Sequence, residues 1–513
     1  MTFVKETKIS NGVNFNIPEE IINIAGKLEK AKFKAYLVGG CVRDILIAAQ
    51  GGEPRQGRGC EPKDWDIATN AKPEETQKIF KDSVYENNFG TVGVKTRSEK
   101  ESLKIVEITT FRLESEYTDK RHPDGVKFAK TIEEDLGRRD FTINAMALEI
   151  SNLKSKISNL VDPFGGQKDL GNKLIRAVGN ADERFNEDAL RLMRAVRFAA
   201  ELDFSIEQKT FEAIEKRAGL LEIIAKERIR DEFIKIVMAS EAARGILLLE
   251  KLGLLKYILP ELCEGIDVAQ NLHHIYTVFE HHIKSLDYAA KQNYSLEVRL
   301  TALLHDLGKP KTKYGEGYNA TFHGHEMASA KMAVRALERL KFSKDTIEKV
   351  FHLVRYHMFY YNVGEVSEAG VRRFLARVGP ENVNDLLKIR EADRIGSGTP
   401  KAIPYKNRHL LFMIEKVKTD PISPKMLKVD GSAVMKIAGI EPGPKVGQIL
   451  AILLEEVLDD PAKNIKKDLE LRIKNLAKLS EKELIVLAKA ARGKKEEFEV
   501  GAEEEMKKKY YVK

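Results

Sequence analysis

The stretch Asp64-Trp65-Asp66-Ile67-Ala68-Thr69, read with Gly39-Gly40-Cys41-Val42-Arg43-Asp44 upstream, decides what kind of fold this chain has. Ala35 to Val38 predicts a short buried strand and Trp65 to Ala68 a second. Side chains alternate along a strand, so Asp64 and Asp66 are expected on one side. Two carboxylates at that spacing repel unless a cation lies between them. A pair of divalent metals answers that need, one activating a hydroxyl and the other steadying a triphosphate. Gly39 and Gly40 let backbone N–H groups approach phosphate oxygens, and a helix expected from Cys41 to Ala48 adds its positive end. An isolated Asp-x-Asp is usually a solvated strand edge, and an isolated Gly-Gly a turn. Strand, Gly-Gly, Arg-Asp and a second strand with Asp-x-Asp form a far more specific combination.

This arrangement resembles the nucleotidyltransferase superfamily that includes DNA polymerase beta-like enzymes. Before it, residues 1 to 17 read as a loose arm, and Pro18 to Lys30 as a helix with Ile21, Ile22, Ile24, Ala25 and Leu28 as its apolar stripe. Residues 50 to 60 (QGGEPRQGRGC) read as a flexible inserted loop, either a surface insertion or a basic loop touching RNA. Thr91 to Val94 and Leu103 to Ile108 predict two antiparallel strands, where Glu107 is a structural partner or a third acidic group near the metals. Residues 117 to 127 (YTDKRHPDGVK) are expected to form a mobile loop over the site. Arg138-Arg139-Asp140 then offers guanidinium groups to phosphate and a carboxylate to ribose, on the way into a strand ending near Ile150. Asp162-Pro163-Phe164-Gly165-Gly166 predicts a closing turn, after which the pattern is helical almost to the end. The expected class is α+β, a polymerase-like head followed by an all-α neck, body and tail.

The second constellation is Glu187-Asp188-Ala189-Leu190-Arg191-Leu192-Met193-Arg194-Ala195-Val196-Arg197. On a helix, Asp188 and Arg191 would share a face, extended by Arg194 and Arg197. A carboxylate accepts from an exocyclic amino group, while a guanidinium donates to a ring nitrogen. Cytosine and adenine present that pattern; guanine and uracil present its reverse. Taken alone, the pair reads equally as a surface salt bridge, which contributes about 0.3–0.5 kcal/mol.

In order, GGCVRD, DWDIAT, a long loop, RRDFTINAMA, DPFGG and EDALRLMRAVRFAA closely resemble the bacterial class of tRNA nucleotidyltransferases (CCA-adding enzymes) and their poly(A) polymerase relatives, over roughly residues 20 to 240. The resemblance implies addition or repair of the tRNA 3′ CCA end from CTP and ATP. It also implies magnesium at Asp64 and Asp66. Gly39, Gly40 and Arg43 would contact the nucleotide, and Arg139 and Asp140 the phosphates and ribose. Asp188 and Arg191 would read the base, with Arg194 and Arg197 completing the pocket. The loop at 50 to 60 is longer than the family usually keeps. A poly(A) polymerase or an A-adding enzyme is the nearest alternative. The unbroken stretch from 110 to 130 argues against a CC-only enzyme.

Ten of the eleven histidines fall between His273 and His409. His281, the adjacent His305-Asp306, then His325, His357 and Asp393 on successive helices make an oxygen and nitrogen cage suited to one or two metals. This resembles the HD phosphohydrolase domain. His281, His305, Asp306 and Asp393 fit its metal ligands, and His325 and His357 would serve a second ion. The metal would be magnesium, manganese, nickel or cobalt. His274 and His282 read as neighbours of the cage. A chain acting mainly as a phosphohydrolase is the reading from another class, opposed by the intact Asp64 and Asp66.

At 513 residues the chain should hold several domains. The expected boundaries are 18–175 for the head, 176–265 for neck and body, 266–400 for the HD domain and 401–495 for the tail. A mixed-charge end spans 496–513. A net charge of +8 permits a nucleic-acid partner without establishing one. Cys41, Cys60 and Cys263 lack metal-type spacing, so a reducing cytoplasm is expected. No signal peptide or membrane span is expected. Residues 226–237 (KERIRDEFIKIV) match the family's neck helix, and 429–457 resemble its tail, with a helix from Gln448 to Val457. Oligomeric state is not encoded in any pattern found.

Overall fold

A computed structural model of the chain describes residues 17–49, 62, 64–85, 90–113, 127–150, 160–271, 275–359, 361–363, 366–398 and 405–491. The N-terminal arm up to residue 16, the inserted loop at 50–60, the loop at 117–126, His274 and the segment 496–513 lie outside the described residues. The chain divides into two compact units between Cys263 and Glu264, with Arg339–Phe342 belonging to the first.

The first unit begins with α1 (Glu19–Lys30), which buries Ile21, Ile24, Ala25 and Leu28. Its acidic first turn and basic last turn both complement the helix dipole. Next come β1 (Ala35–Val38), α2 (Gly40–Ala49) and β2 (Asp66–Thr69). The sheet continues with β3 (Ser83–Tyr85), β4 (Thr91–Lys95), β5 (Ile105–Thr110), β6 (Ala147–Glu149) and β7 (Leu160–Val161). Their order is β3-β4-β5-β2-β1-β6-β7. Strand β1 is central, paired on both edges, and all four of its residues are buried, so both of its faces are covered. That is why the sequence there is continuously apolar rather than alternating. Strand β2 runs antiparallel to β1 and parallel to β5, with Asp66 beside Glu107.

The strand expected from Trp65 begins one residue later. Pairing with β1 reaches only to Ile67 and pairing with β5 only to Asp66, so Asp64 sits in a bend before the strand and is exposed. Its side chain is therefore not fixed by strand alternation.

Beyond the sheet, the Asp162 carboxylate accepts from the backbone N–H groups of Gly166 (2.7 Å) and Gln167 (2.9 Å), starting the short helix Gly166–Gly171. Gly165 has φ +73°, a conformation suited to glycine. This turn clamps the Arg138–Ala147 segment, because Thr142 Oγ1 donates to Asp169 at 2.6 Å and Arg176 pairs with the same carboxylate at 2.7 Å. Helices α3 (Ala181–Glu187), α4 (Leu190–Leu202) and α5 (Lys226–Met238) follow. A two-stranded parallel pairing of Leu174–Ile175 with Ser205–Ile206 interrupts the expected helical run.

The second unit is helical. Its first part contains α6 (Val278–Lys291), α7 (Leu296–Leu304), α8 (His325–Arg339), α9 (Lys344–Tyr356) and α10 (Pro380–Gly396). The later helices α11 (Gly431–Ala438), α12 (Pro444–Asp459) and α13 (Lys466–Ala477) share a core built on Val434, Ile449, Leu453, Val457, Leu469 and Ile473. Helix α12 starts at Pro444, earlier than the expected Gln448, because proline in a first turn gives up no helical hydrogen bond. No helix among the described residues is long and apolar enough to cross a membrane.

A Cβ added at Gly166 would stand 2.2 Å from the Thr142 carbonyl oxygen and 2.9 Å from Met146 Cγ. Gly166→Ala is therefore expected to cost about 1–3 kcal/mol through overpacking, read as a lower midpoint in urea denaturation. An unchanged midpoint would mean that the turn does not bear on the Thr142 segment.

Candidate functional site

The C-terminal end of β1 turns at Gly39, whose φ of +77° admits a side chain only with strain. A Cβ there would meet Arg139 Nη1 at 2.9 Å and Asp66 Oδ2 at 3.5 Å, so both groups border the space that this glycine leaves open. Arg139 is held from behind by Asp135 at 3.3 Å. The Asp66 carboxyl is pushed above the ordinary carboxylate value by burial and by the Asp64 charge, against the lowering effect of Arg139. Asp64 and Asp66 are thus near enough to feel each other although only one lies on the strand. An acidic pair of hard oxygens with raised affinity for positive charge fits magnesium.

Arg43, on α2, pairs with Asp44 at 2.8 Å and donates to Asn144 Oδ1 at 2.9 Å. A Cβ at Gly40 would lie 3.6 Å from Arg43 Nη2, which places this glycine beside the same guanidinium. Asp140 is buried; its Oδ1 accepts the Phe141 N–H at 2.9 Å and its Oδ2 accepts from Arg194 Nε at 2.6 Å. Burial opposes the charge on Asp140, but Arg194 and Arg191 outweigh it and hold the carboxyl down at about 2.

Asp188 departs from the helical reading. Its backbone is extended (φ −137°, ψ 104°), because α3 ends at Glu187 and the Asp188 carboxylate accepts the Leu190 N–H at 3.0 Å as α4 starts. Asp188 and Arg191 therefore do not share a helix face, and no Asp188–Arg191 salt bridge forms. Asp188 Oδ2 instead accepts from Arg228 Nη2 at 2.9 Å. Arg191 donates to Glu187 at 2.8 Å, to the Arg184 carbonyl at 3.3 Å and to the Arg138 carbonyl at 3.1 Å. Arg197 pairs with Glu232 at 3.0 Å.

The sequence reading passed over Arg228 and Glu232, which tie α5 to the start and middle of α4. Their signal was available: two charged residues four apart, each one position before a buried apolar residue, Ile229 and Phe233. It also passed over Asn144 and Phe198, whose partners are distant in sequence.

In the helical unit, His281, His305, Asp306, His325, His357 and Asp393 converge. The two Asp306 oxygens face two ligand groups, His281 with His305 and His325 with His357. Oδ2 lies 3.3 Å from Nε2 of both His281 and His305, while Oδ1 lies 3.3 Å from His325 Nε2 and 3.6 Å from His357 Nε2. Asp393 Oδ1 stands 3.4 Å from His281 Nε2 and 3.8 Å from His305 Nε2. Three rings are set by one device: Nδ1 of His305, His325 and His357 reaches the carbonyl three residues earlier, at 3.0, 2.7 and 2.7 Å. A proton on Nδ1 leaves each Nε2 lone pair aimed inward, as metal ligation requires. Asp306 Oδ1 and His325 Nε2 are buried and make no hydrogen bond, so the donor set fits a cation.

Burial disfavours charge on His305, yet Asp306 and Asp393 together raise it to about 10, so these carboxylates favour positive charge at its Nε2, which a bound cation would supply in place of the proton. His357 is lowered to about 3 by burial and by His305. Lys309, three residues after Asp306, bonds Asp306 Oδ2 at 2.6 Å and Gln270 at 2.7 Å, and the sequence reading gave it no role. His282 is fully buried beside His305, with ring centroids 5.5 Å apart.

Asp140 gives a pH prediction. Its folded value, about 2, lies below the ordinary one, so its stabilisation is complete above the unfolded value near 4 and is lost as pH falls through 2. Relative to wild type, Asp140→Asn is expected to lose about 2 kcal/mol at pH 5 to 7. Chemical denaturation should show the difference shrinking between pH 4 and 2. A difference independent of pH would mean that the carboxylate charge contributes nothing.

Comparison with known proteins follows this geometry. Residues 35–176 match the family model of the poly A polymerase head domain, 203–266 that of the probable RNA and SrmB-binding site of polymerase A, and 278–396 that of the HD domain. A CCA-adding enzyme of Lactococcus lactis subsp. lactis is 35% identical over 461 residues, 87% of this chain and 96% of its own length. An A-adding tRNA nucleotidyltransferase of Deinococcus radiodurans is 36% identical over 345 residues, 65% of this chain and 76% of its own. Among solved structures, the Bacillus stearothermophilus CCA-adding enzyme in complex with CTP is similar with a TM-score of 0.65 at 27% identity, covering 89% of this chain and 96% of that one. The chain belongs to the family of CCA-adding tRNA nucleotidyltransferases and poly(A) polymerases, and carries an HD domain after the polymerase head in sequence.

Proposed function

We propose that this protein completes or repairs the 3′ CCA end of tRNA from CTP and ATP without a nucleic-acid template. The observation that carries the proposal is the Arg138-Arg139-Asp140 segment, which joins two groups of residues. Arg139 and Asp66 both border the space at Gly39, the Arg138 carbonyl accepts from Arg191, and Asp140 holds Arg194. Metal-binding carboxylates and base-reading side chains therefore belong to one site. The similar structure solved with CTP is that of a CCA-adding enzyme, which favours full CCA addition.

In this reading the 3′ hydroxyl oxygen of the RNA attacks the α-phosphate of CTP or ATP. The new P–O bond forms as the bond to the β-phosphate breaks, and pyrophosphate leaves. Asp64 and Asp66 would hold magnesium, which when bound would supply Lewis-acid activation of the hydroxyl and charge neutralisation at the phosphates. Arg139 and Arg43 add fixed positive charge where pyrophosphate develops. Asp140 keeps lone pairs for a ribose hydroxyl beyond its two existing bonds. Asp188 accepts the amino group of C or A, and Arg191, already oriented by Glu187, donates to the adjacent ring nitrogen. Magnesium identity, the assignment of each residue and a cytoplasmic location are parts of this proposal.

The buried cage around Asp306 supports a second activity. With magnesium, manganese, nickel or cobalt bound, it would hydrolyse phosphate esters such as 2′,3′-cyclic or terminal phosphates, the metal supplying a nucleophile at neutral pH. Asp306→Ala is expected to abolish such hydrolysis while CCA addition continues. Absence of hydrolysis by the wild type with all four metals would make the cage structural.

Full-length protein given tRNA ending at the discriminator base should add CC from CTP alone and CCA from both nucleotides. Addition of A only to CC-ended tRNA, or long A tails, would replace this reading. Asp66→Ala is expected to abolish addition with tRNA binding retained, and activity within tenfold of wild type would remove it from the chemistry. Asp188→Ala should weaken discrimination against UTP and GTP by about ten- to a hundredfold, the equivalent of one charged hydrogen bond. Equal slowing of all four nucleotides would assign Asp188 to helix capping alone.

A further inference from the structure

Three guanidinium groups gather over one aromatic ring in the nucleotidyltransferase half. Phe198, on α4, is 4% exposed and meets Phe141 edge-on, with centroids 5.8 Å apart and planes at 83°. The guanidinium carbon of Arg197 lies 4.3 Å from its centroid, and those of Arg43 and Arg194 both lie 5.4 Å away. Each of these arginines also has carboxylate partners: Asp44 for Arg43, Asp140 for Arg194, and Glu232 with the more distant Glu201 for Arg197. We propose that Phe198 is a positioning residue for the nucleotide, fixing these three arginines around its ring while leaving their charge available to a triphosphate.

The chemistry of the ring decides the argument. Three cations brought this close repel one another, and the Arg194 charge disfavours the charged form of Arg197, second only to burial. A further carboxylate would hold them but would cancel charge that a polyphosphate needs. An aliphatic side chain would fill the space and attract none of them. The face of an aromatic ring attracts a cation and leaves its net charge intact. Arg43 reaches the ring from α2, whereas Arg194 and Arg197 reach it from α4 itself, so the ring also links the Gly-Gly helix to the base-reading helix. The inference rests on the nucleotide-binding reading above. Core packing alone accounts for a buried phenylalanine but not for three guanidiniums around it.

The test is graded fluorination of Phe198 in the full-length protein, which holds ring shape while stripping negative charge from its face, alongside Phe198→Leu. KM for CTP and for ATP should rise stepwise with fluorine number and by the same factor, reaching about 5- to 30-fold. The turnover number, the C and A over U and G preference and the thermal midpoint of the fluorinated proteins should stay near wild type. Direct titration with CTP should show the same loss of affinity. Fluorinated proteins with wild-type KM, in an enzyme that still adds C and A, would overturn the role of the ring face and leave the proposed function standing. A wild-type protein that adds neither nucleotide would instead overturn the underlying reading. If Phe198→Leu alone loses activity, through a lower midpoint, the ring is only a packing element.

Discussion

A carboxylate withdrawn from water must be met by donors or cations, and the first unit is arranged around one such group. Asp140 has one oxygen on the Phe141 N–H and the other on Arg194. Arg194 in turn lies against Phe198, which Arg43 and Arg197 share, and Arg197 ends on Glu232 of α5. The sheet, α4 and α5 are thus joined by alternating charges, each too costly to bury alone. The apolar core supplies stability; this network fixes where the polar side chains point.

The second unit meets the same constraint in another way. Asp306 is buried with four histidines and one lysine around its two oxygens. Three of the rings have their tautomer set by a backbone carbonyl at the end or start of a helix. Helix boundaries here orient ligands, a task that a mid-helix position performs poorly because its carbonyls are already bonded.

Much of the fold was legible because local patterns matched tertiary roles. Ala35–Val38 is uniformly apolar since it is buried on both faces, and the stripe on α1 faces the core. The six histidine and aspartate residues of the cage could be named together because ligand chemistry is carried by residue type. What was misread depended on partners that sequence does not reveal. Asp64 falls outside its strand because the neighbouring strands stop pairing at Asp66 and Ile67. Asp188 leaves the helix because a short carboxylate can take a backbone N–H for itself. Arg228, Glu232 and Asn144 lie 40, 35 and 101 residues from the side chains they hold, beyond the reach of any periodicity. That Asp306 faces two ligand groups depends on how several helices cross, which spacing alone does not specify.

The bond from Arg228 to Asp188 has a consequence for the order in which the protein is made. Synthesis proceeds from the N-terminus, and domains fold as they emerge. The sheet and its carboxylates are complete well before residue 228 is added, so a nascent chain ending ahead of α5 possesses β2 but leaves Asp188 and Arg197 without their partners on α5. These two ion pairs are therefore formed only after the sheet has been made. A ribosome-bound or truncated intermediate would hold the Asp140–Arg194 pair while the other two carboxylate and guanidinium groups wait for α5, which follows α4 in the chain.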